Sequence, residues 1–240
     1  MEFNVAKCHV MHVGRTNPGH NYTMNGTALG NTDEERDIGV IVSSSLKPSK
    51  QCKKSAQVAS TVLGQILRAF HYRDRHIFLS LYVQYVRPHL EFAVAAWAPW
   101  TKEDIECLER VQRRAVRAMS GLKGQTYEEK LQELKLSSLA ERRKEIDMTE
   151  VFRRLSDQDS DSEPILERAT GRRATRAASG KDALLKKRSF HEFRSNFFSS
   201  RVVDSWNNLP DSVKGATNVS SFKCLYRRHL ESTVAPAREG

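Results

Sequence analysis

Residues 101–121 read TKEDIECLERVQRRAVRAMSG, and this stretch decides the fold class. Thr101 followed three residues later by Asp104 is a capping-box pattern, and Gly121 stands where a helix stops. Between them Ile105, Leu108, Val111, Gln112, Ala115 and Met119 recur at steps of three and four, which at about 100° per residue puts them on one side of a helix. Arg110, Arg113, Arg114 and Arg117 fall almost opposite. Four guanidiniums on a solvent face suit a polyanion, because each is a planar fork of donors matched to phosphate oxygens. Glu106 and Glu109, however, each precede an arginine by four residues, and such pairs stabilise an exposed helix by about 0.2–0.5 kcal/mol apiece. On these residues alone the face reads either as a solvated helix surface or as a phosphate-binding one.

The whole chain tilts that balance. Its 240 residues carry a net charge of +10 and a pI near 9.6, a field that favours acidic partners. The cationic excess lies entirely beyond residue 40. Membrane is the poorer match, since no apolar run approaches the roughly 20 residues of a spanning helix and the N-terminus lacks the pattern of a signal peptide. An intracellular protein, nuclear or cytoplasmic and not secreted, is expected. Cys8, Cys52, Cys107 and Cys224 form no CxxC pair, and Cys8, His12 and His20 lack a fourth ligand, so packing or surface roles are expected for them and no metal.

Upstream, residues 3–13 (FNVAKCHVMHV) are valine-rich and partly alternating, which predicts a strand. A short strand at Tyr22 to Met24 closed by Asn25-Gly26 is next, then a buried strand over Ile38 to Val42. Residues 1–45 therefore form a small β piece, too small to bury a face unaided. From Gln51 to His71 the apolar positions Cys52, Ala56, Ala59, Leu63, Ile66 and Phe70 are helical in spacing, with Lys47, Lys50, Lys53 and Lys54 crowding the entrance. Lysines there oppose the helix dipole, which favours an anion nearby; a soluble basic turn is the plainer reading. Asp74 caps a helix with a broad apolar face of Ile77, Phe78, Leu81, Tyr82, Tyr85 and Val86, and Pro88 to Trp97 reads as a buried central helix.

Downstream, Thr126 with Glu129 and Ser138 with Glu141 start two more capped helices, completing a helical domain over 46–155. Residues 156–189 run from acidic (SDQDSDSEP) to basic, including Arg172, Arg173, Arg176, Lys186, Lys187 and Arg188, and read as a linker and mobile arm. Residues 190–240 regain helical order, with Phe190, Phe193, Phe197, Val202, Val203 and Trp206 expected in a core and Phe222, Leu225, Tyr226 and Leu230 on a last helix. The expected class is mainly α, with a small N-terminal β remnant.

Five stretches in one order carry a resemblance: FNVAKCHVMHVG, RDIGVIV, FHYRDRHIFLSLYVQYVRPHLEFAVAAWAPW, LERVQRRA and NFFSSRVVDSWNNLP. Together they resemble the carboxy-terminal part of reverse transcriptases of non-LTR retrotransposons, of the jockey-like and chicken-repeat-like (LINE) kind. The resemblance implies that FNVAKC is the last palm motif and that Asp37, Ile38, Gly39 and Val40 belong to a hairpin that grips the primer. It further implies that the helices over 46–155 are a thumb closing on template and primer, and that Lys7 corresponds to a palm lysine able to protonate leaving pyrophosphate.

The implied partner is RNA, DNA or their hybrid. The implied contacts are Lys50, Lys53, Lys54, Arg110, Arg113, Arg114, Arg117, Arg172, Arg173, Arg176, Lys186, Lys187 and Arg188, which would hold phosphates without reading sequence. The family's nucleotidyl transfer uses two magnesium ions held by paired aspartates. That aspartate motif does not occur in this chain, and Met1 falls where related sequences have an internal methionine. A truncated element, inactive alone, without its own cofactor and separated from its palm and fingers, is the expectation. The rival expectation is a helical protein-interaction module derived from a retroelement.

Overall fold

The computed structural model describes residues 3–14, 16–72, 74–156, 165–169 and 182–234, and this described chain is mainly helical. Six short strands come first: β1 His9–Val10, β2 Thr23–Met24, β3 Thr27–Ala28, β4 Gly30–Asn31, β5 Glu34–Asp37 and β6 Val40–Ser43. The helices are α1 Ser49–Ala69, α2 Arg75–Leu81, α3 Arg87–Glu91, α4 Val94–Trp97, α5 Lys102–Ala118, α6 Tyr127–Glu133, α7 Leu139–Ser156, α8 Glu192–Ser195, α9 Phe198–Asn207, α10 Asp211–Lys214 and α11 Val219–Val234. A π-helical turn, Tyr82–Val86, joins α2 to α3. No described helix is long and apolar enough to cross a membrane.

Turn chemistry organises the β piece. Asn25 and Gly26 both have positive φ (51° and 75°), the requirement of a two-residue hairpin turn, and they close β2 on β3. Ile38 and Gly39 do the same (44° and 86°) between β5 and β6, pairing Asp37 with Val40 and Glu34 with Ser43. The buried strand expected from Ile38 is thus corrected: Ile38 is the hairpin tip and 88% exposed, because strand pairing starts only at Val40. The strand expected over 3–13 shrinks to β1, paired in parallel with β4, and Val5–Lys7 is a 3₁₀ turn capped by the Asn4 side chain. Ile41 N–H donates to Gln51 Oε1 at 2.9 Å, which ties β6 to α1.

The chain divides into two compact units, Met1–Ala93 with Pro99–Leu134, and Val94–Ala98 with Lys135–Gly240. In the first, α1 lies along α5, and the side chains that face inward are the ones spaced at three and four: Cys52, Ala59 and Leu63 with Leu108, Val111 and Ala115. Phe78, Tyr82, Val86 and Leu90 join this core, whereas Ile77 and Tyr85 of the expected broad apolar face are exposed. The central helix expected over Pro88 to Trp97 is broken. Phe92 has left the helical region (φ -55°, ψ 122°) and Ala93 has positive φ (50°); α3 ends in the first unit and α4 belongs to the second.

The second unit is built on α7, α9 and α11, and its core holds Met148, Val151, Phe152, Phe198, Val202, Val203, Trp206 and Phe222. Phe152 stacks on Phe222 with centroids 4.6 Å apart. Helix α7, expected within a helical domain over 46–155, falls in this second unit: its buried face carries Met148, Val151 and Phe152, which pack with the C-terminal aromatics. The expected mobile arm is corrected in its described portions. Leu166 and Leu184 are core residues, Arg168 bridges to Leu184, and Asn207 holds the Leu184 backbone from both sides, at 2.8 and 2.9 Å. Phe190, Phe193 and Phe197, expected in the core, are exposed. Arg201 grips Asp147 with two hydrogen bonds, 2.9 and 2.8 Å, and gives others to the carbonyls of Asn196 and Ala95.

Candidate nucleic-acid interface

Helix α5 is set by both its ends and its underside. Thr101 Oγ1 accepts from Asp104 N–H at 3.2 Å, but the Asp104 carboxylate does not complete the expected box, because it accepts the Ser49 hydroxyl of α1 at 2.7 Å instead. The N-terminal turns of α1 and α5 are thereby fastened together. Beneath α5, Tyr82 donates to Gln112 Oε1 at 2.6 Å, Gln112 Nε2 donates to the Tyr127 oxygen at 3.0 Å, and Tyr127 donates to Glu109 at 2.5 Å. Burial raises the pKa of both phenols, and for Tyr127 the bond to Glu109 raises it further, so both remain neutral donors near pH 7.

This underside consumes part of the expected arginine face. Glu109 serves Tyr127 and so is not the helix-surface partner of Arg113, whose guanidinium pairs with Glu106 and lies 5.2 Å from the Tyr127 ring centroid. Arg110, Arg114 and Arg117 are exposed and form no ion pair with any described residue. The same holds for Lys53 and Lys54, whereas Lys50 is paired with Glu34 at 2.7 Å.

The parallel course of α1 and α5 then brings Lys53 together with Arg110 and Arg114. They line one shallow groove of about 340 Å³ whose other walls are Gln57, Ser60 and Cys107 and whose floor is Ala56 and Val111. Spacing explains the arrangement. Lys53, Gln57 and Ser60 share one face of α1, as Cys107, Arg110 and Arg114 share one face of α5. Burial pushes the Cys107 thiol pKa up. Gln57 and Ser60 are polar groups that the sequence reading missed, although their spacing from Lys53 could have found them. Arg117 lies apart from this groove, in a second concavity of about 400 Å³ with His71, Lys123 and Lys130. Lys54 is not in the groove lining.

The remaining expected residues are dispersed. Lys7 is exposed at the end of the 3₁₀ turn, before β1. Asp37, Ile38, Gly39 and Val40 form the tip of the β5–β6 hairpin, where a Cβ on Gly39 would meet the Phe92 ring at 3.2 Å. In the other unit Lys186 pairs with Asp204 and Lys187 with Glu167 at 2.5 Å, so both are occupied. Arg188 lies 5.0 Å from the centroid of the Phe190 ring. Arg172, Arg173 and Arg176 lie outside the described residues.

Cys8 donates to the Asn4 carbonyl and His12 bonds Asn17, and no group of three His, Cys, Asp or Glu able to hold a metal ion occurs among the described residues. Comparison of the chain with protein-family models, curated proteins and solved structures gave no significant match.

Proposed function

We propose that the helical unit built on α1 and α5 holds a nucleic-acid backbone, in the manner of the thumb of a non-LTR retrotransposon reverse transcriptase. The observation that carries this reading is the groove in which Lys53, Arg110 and Arg114 meet without carboxylate partners among the described residues. Three unpaired cations on neighbouring helices cost repulsion that a polyanion relieves, and phosphate contacts of this kind position a duplex without reading its bases. The β5–β6 hairpin supports the same reading. Ile38 is a β-branched residue held at positive φ on an exposed tip, and strain of this sort gathers where a chain meets its ligand. The bound species is template and primer, as RNA, DNA or their hybrid, and the two-metal chemistry of the resembled family belongs to an aspartate-bearing palm outside this role.

The test is binding of a blunt, dye-labelled RNA–DNA hybrid to the full chain, followed by fluorescence anisotropy across a salt series. Each phosphate contact contributes about 0.9 to the slope of log Kobs against log salt on duplex DNA, so replacing Lys53, Arg110 and Arg114 by glutamine should flatten it by about two to three. An unchanged slope refutes the assignment. A second reading, docking of a partner protein, is favoured by Ile77, Tyr85 and Phe92, which are large, apolar and exposed in the same unit. Binding to a protein that persists in high salt and ignores nucleic acid would select it.

A further inference from the structure

Residues 188–198 contribute to the core of the second unit at one end only. Phe198 is buried, but Phe190 is 82% exposed, Phe193 41% and Phe197 47%. Every one of these exposed rings is already paired with a basic side chain. The Arg188 guanidinium lies 5.0 Å from the Phe190 centroid, Arg194 lies 5.5 Å from Phe197, and His191 stacks on Phe193 at 5.3 Å with 7° between the planes. Arg188 and Arg194 form no ion pair with a described carboxylate, although Glu192 stands between them in sequence, whereas nearby Lys186 and Lys187 are neutralised by Asp204 and Glu167. The stretch therefore presents flat apolar rings interleaved with uncommitted positive charge.

We propose that residues 188–197 form a stacking platform for single-stranded nucleic acid, with unpaired bases laid on Phe190, Phe193 and Phe197 and phosphates held by Arg188 and Arg194. A single strand fits both features at once, since its bases expose π faces and its backbone is anionic. A duplex does not, because its bases are stacked on one another and cannot reach the rings. A protein partner would use the rings but would need an acidic group placed opposite each guanidinium, whereas a single strand carries a phosphate at every nucleotide. This site shares no residue with the α1–α5 groove and lies in the other unit, so it extends the reading above and either can fail alone.

The experiment uses the full chain with dye-labelled oligo-dT and oligo-rU, and a blunt hybrid of the same length as control. In the F190L/F193L/F197L variant the apolar bulk is kept and the ring faces are lost; because all three side chains are exposed, its circular dichroism should match the parent. Single-strand affinity should fall by at least about ten-fold, with hybrid affinity unchanged, since each stacked base is worth roughly five- to one-hundred-and-fifty-fold. The R188Q/R194Q variant should lower the single-strand salt slope by about one to one and a half, at roughly 0.7 per phosphate contact. If the leucine variant misfolds, this arginine pair alone decides. Three results overturn the proposal: oligonucleotide binding and its salt slope unaltered in both variants, equal loss of single strand and hybrid in the leucine variant, or binding of phosphatidylserine vesicles by the parent without any to the oligonucleotides.

Discussion

Replacing Gln112 by leucine strikes a buried polar chain that underlies α5. Gln112 is fully buried, accepts from Tyr82 at 2.6 Å and donates to Tyr127 at 3.0 Å. In the variant the Tyr82 hydroxyl, itself on a fully buried residue, loses its acceptor, and a buried donor left unmet costs about 1–3 kcal/mol. Loss of the amide's bond to Tyr127 adds about 0.5–1.5 kcal/mol, while Tyr127 keeps Glu109 as acceptor. The sum is about 1.5–4.5 kcal/mol, felt in the unit that contains α5. Adding Tyr82→Phe removes the orphaned hydroxyl, so the double variant should be less destabilised than the two single losses added, by about 1–2 kcal/mol. Peptide-resolved hydrogen exchange on the full chain measures this directly: protection over 105–116 should drop in the single variant and partly return in the double. Protection over α7 and α11 should hold, since those helices share a different core. Unchanged exchange in α5, or strict additivity within about 0.5 kcal/mol, refutes the assigned hydrogen bonds.

Two further outcomes follow from single contacts. Arg201→Met should cost about 3–5 kcal/mol by stranding the Asp147 carboxylate. Burial already holds the Asp147 pKa above the usual carboxylate value despite Arg201, and removing Arg201 raises it further. A folded pKa above the unfolded one means that the folded state binds the proton more tightly. The variant should therefore gain stability as pH falls from the folded value toward the unfolded value near 3.9, and a thermal midpoint that does not rise over that window counts against it. Ile38→Asn should stabilise the β5–β6 hairpin by about 1 kcal/mol, because asparagine tolerates positive φ and an 88% exposed isoleucine loses no burial; slower exchange over 34–43 is the readout, and faster exchange refutes it.

Local chemistry was legible in the sequence wherever it depended on neighbours along the chain. The start of α5 followed from Thr101, although the helix ends at Ala118, before Gly121; the complete box at Thr126 and Glu129 formed as written, and Asn25-Gly26 made its hairpin turn. The inward side of α1 and α5 followed from spacing except at Phe70, which caps α1 and is exposed, and the exposure of Arg110, Arg114 and Arg117 followed from it too. What failed was each inference that needed to know a distant partner. Asp104 turned from the Thr101 capping box to Ser49, and the i,i+4 pairs assumed for Glu106 and Glu109 were replaced by Arg113 and Tyr127. Leu166 and Leu184, set in basic and polar sequence, looked like parts of an arm until Asn207 and the C-terminal aromatics received them.

The candidate site divides the same way. Sequence determined which cations stand on the outer faces of their own helices, because 3.6-residue periodicity is a local property. Only the tertiary structure decided which cations are uncommitted and which share a wall: Lys53 with Arg110 and Arg114 in one groove, Arg117 in another, Lys50, Lys186 and Lys187 spent on carboxylates. It also decided that Phe198 enters the core while Phe190, Phe193 and Phe197 remain outside. Charge and hydrophobicity state what a side chain can do, but which partner satisfies it depends on distances of a few ångströms between residues far apart in the chain, and these exist only after the helices have packed.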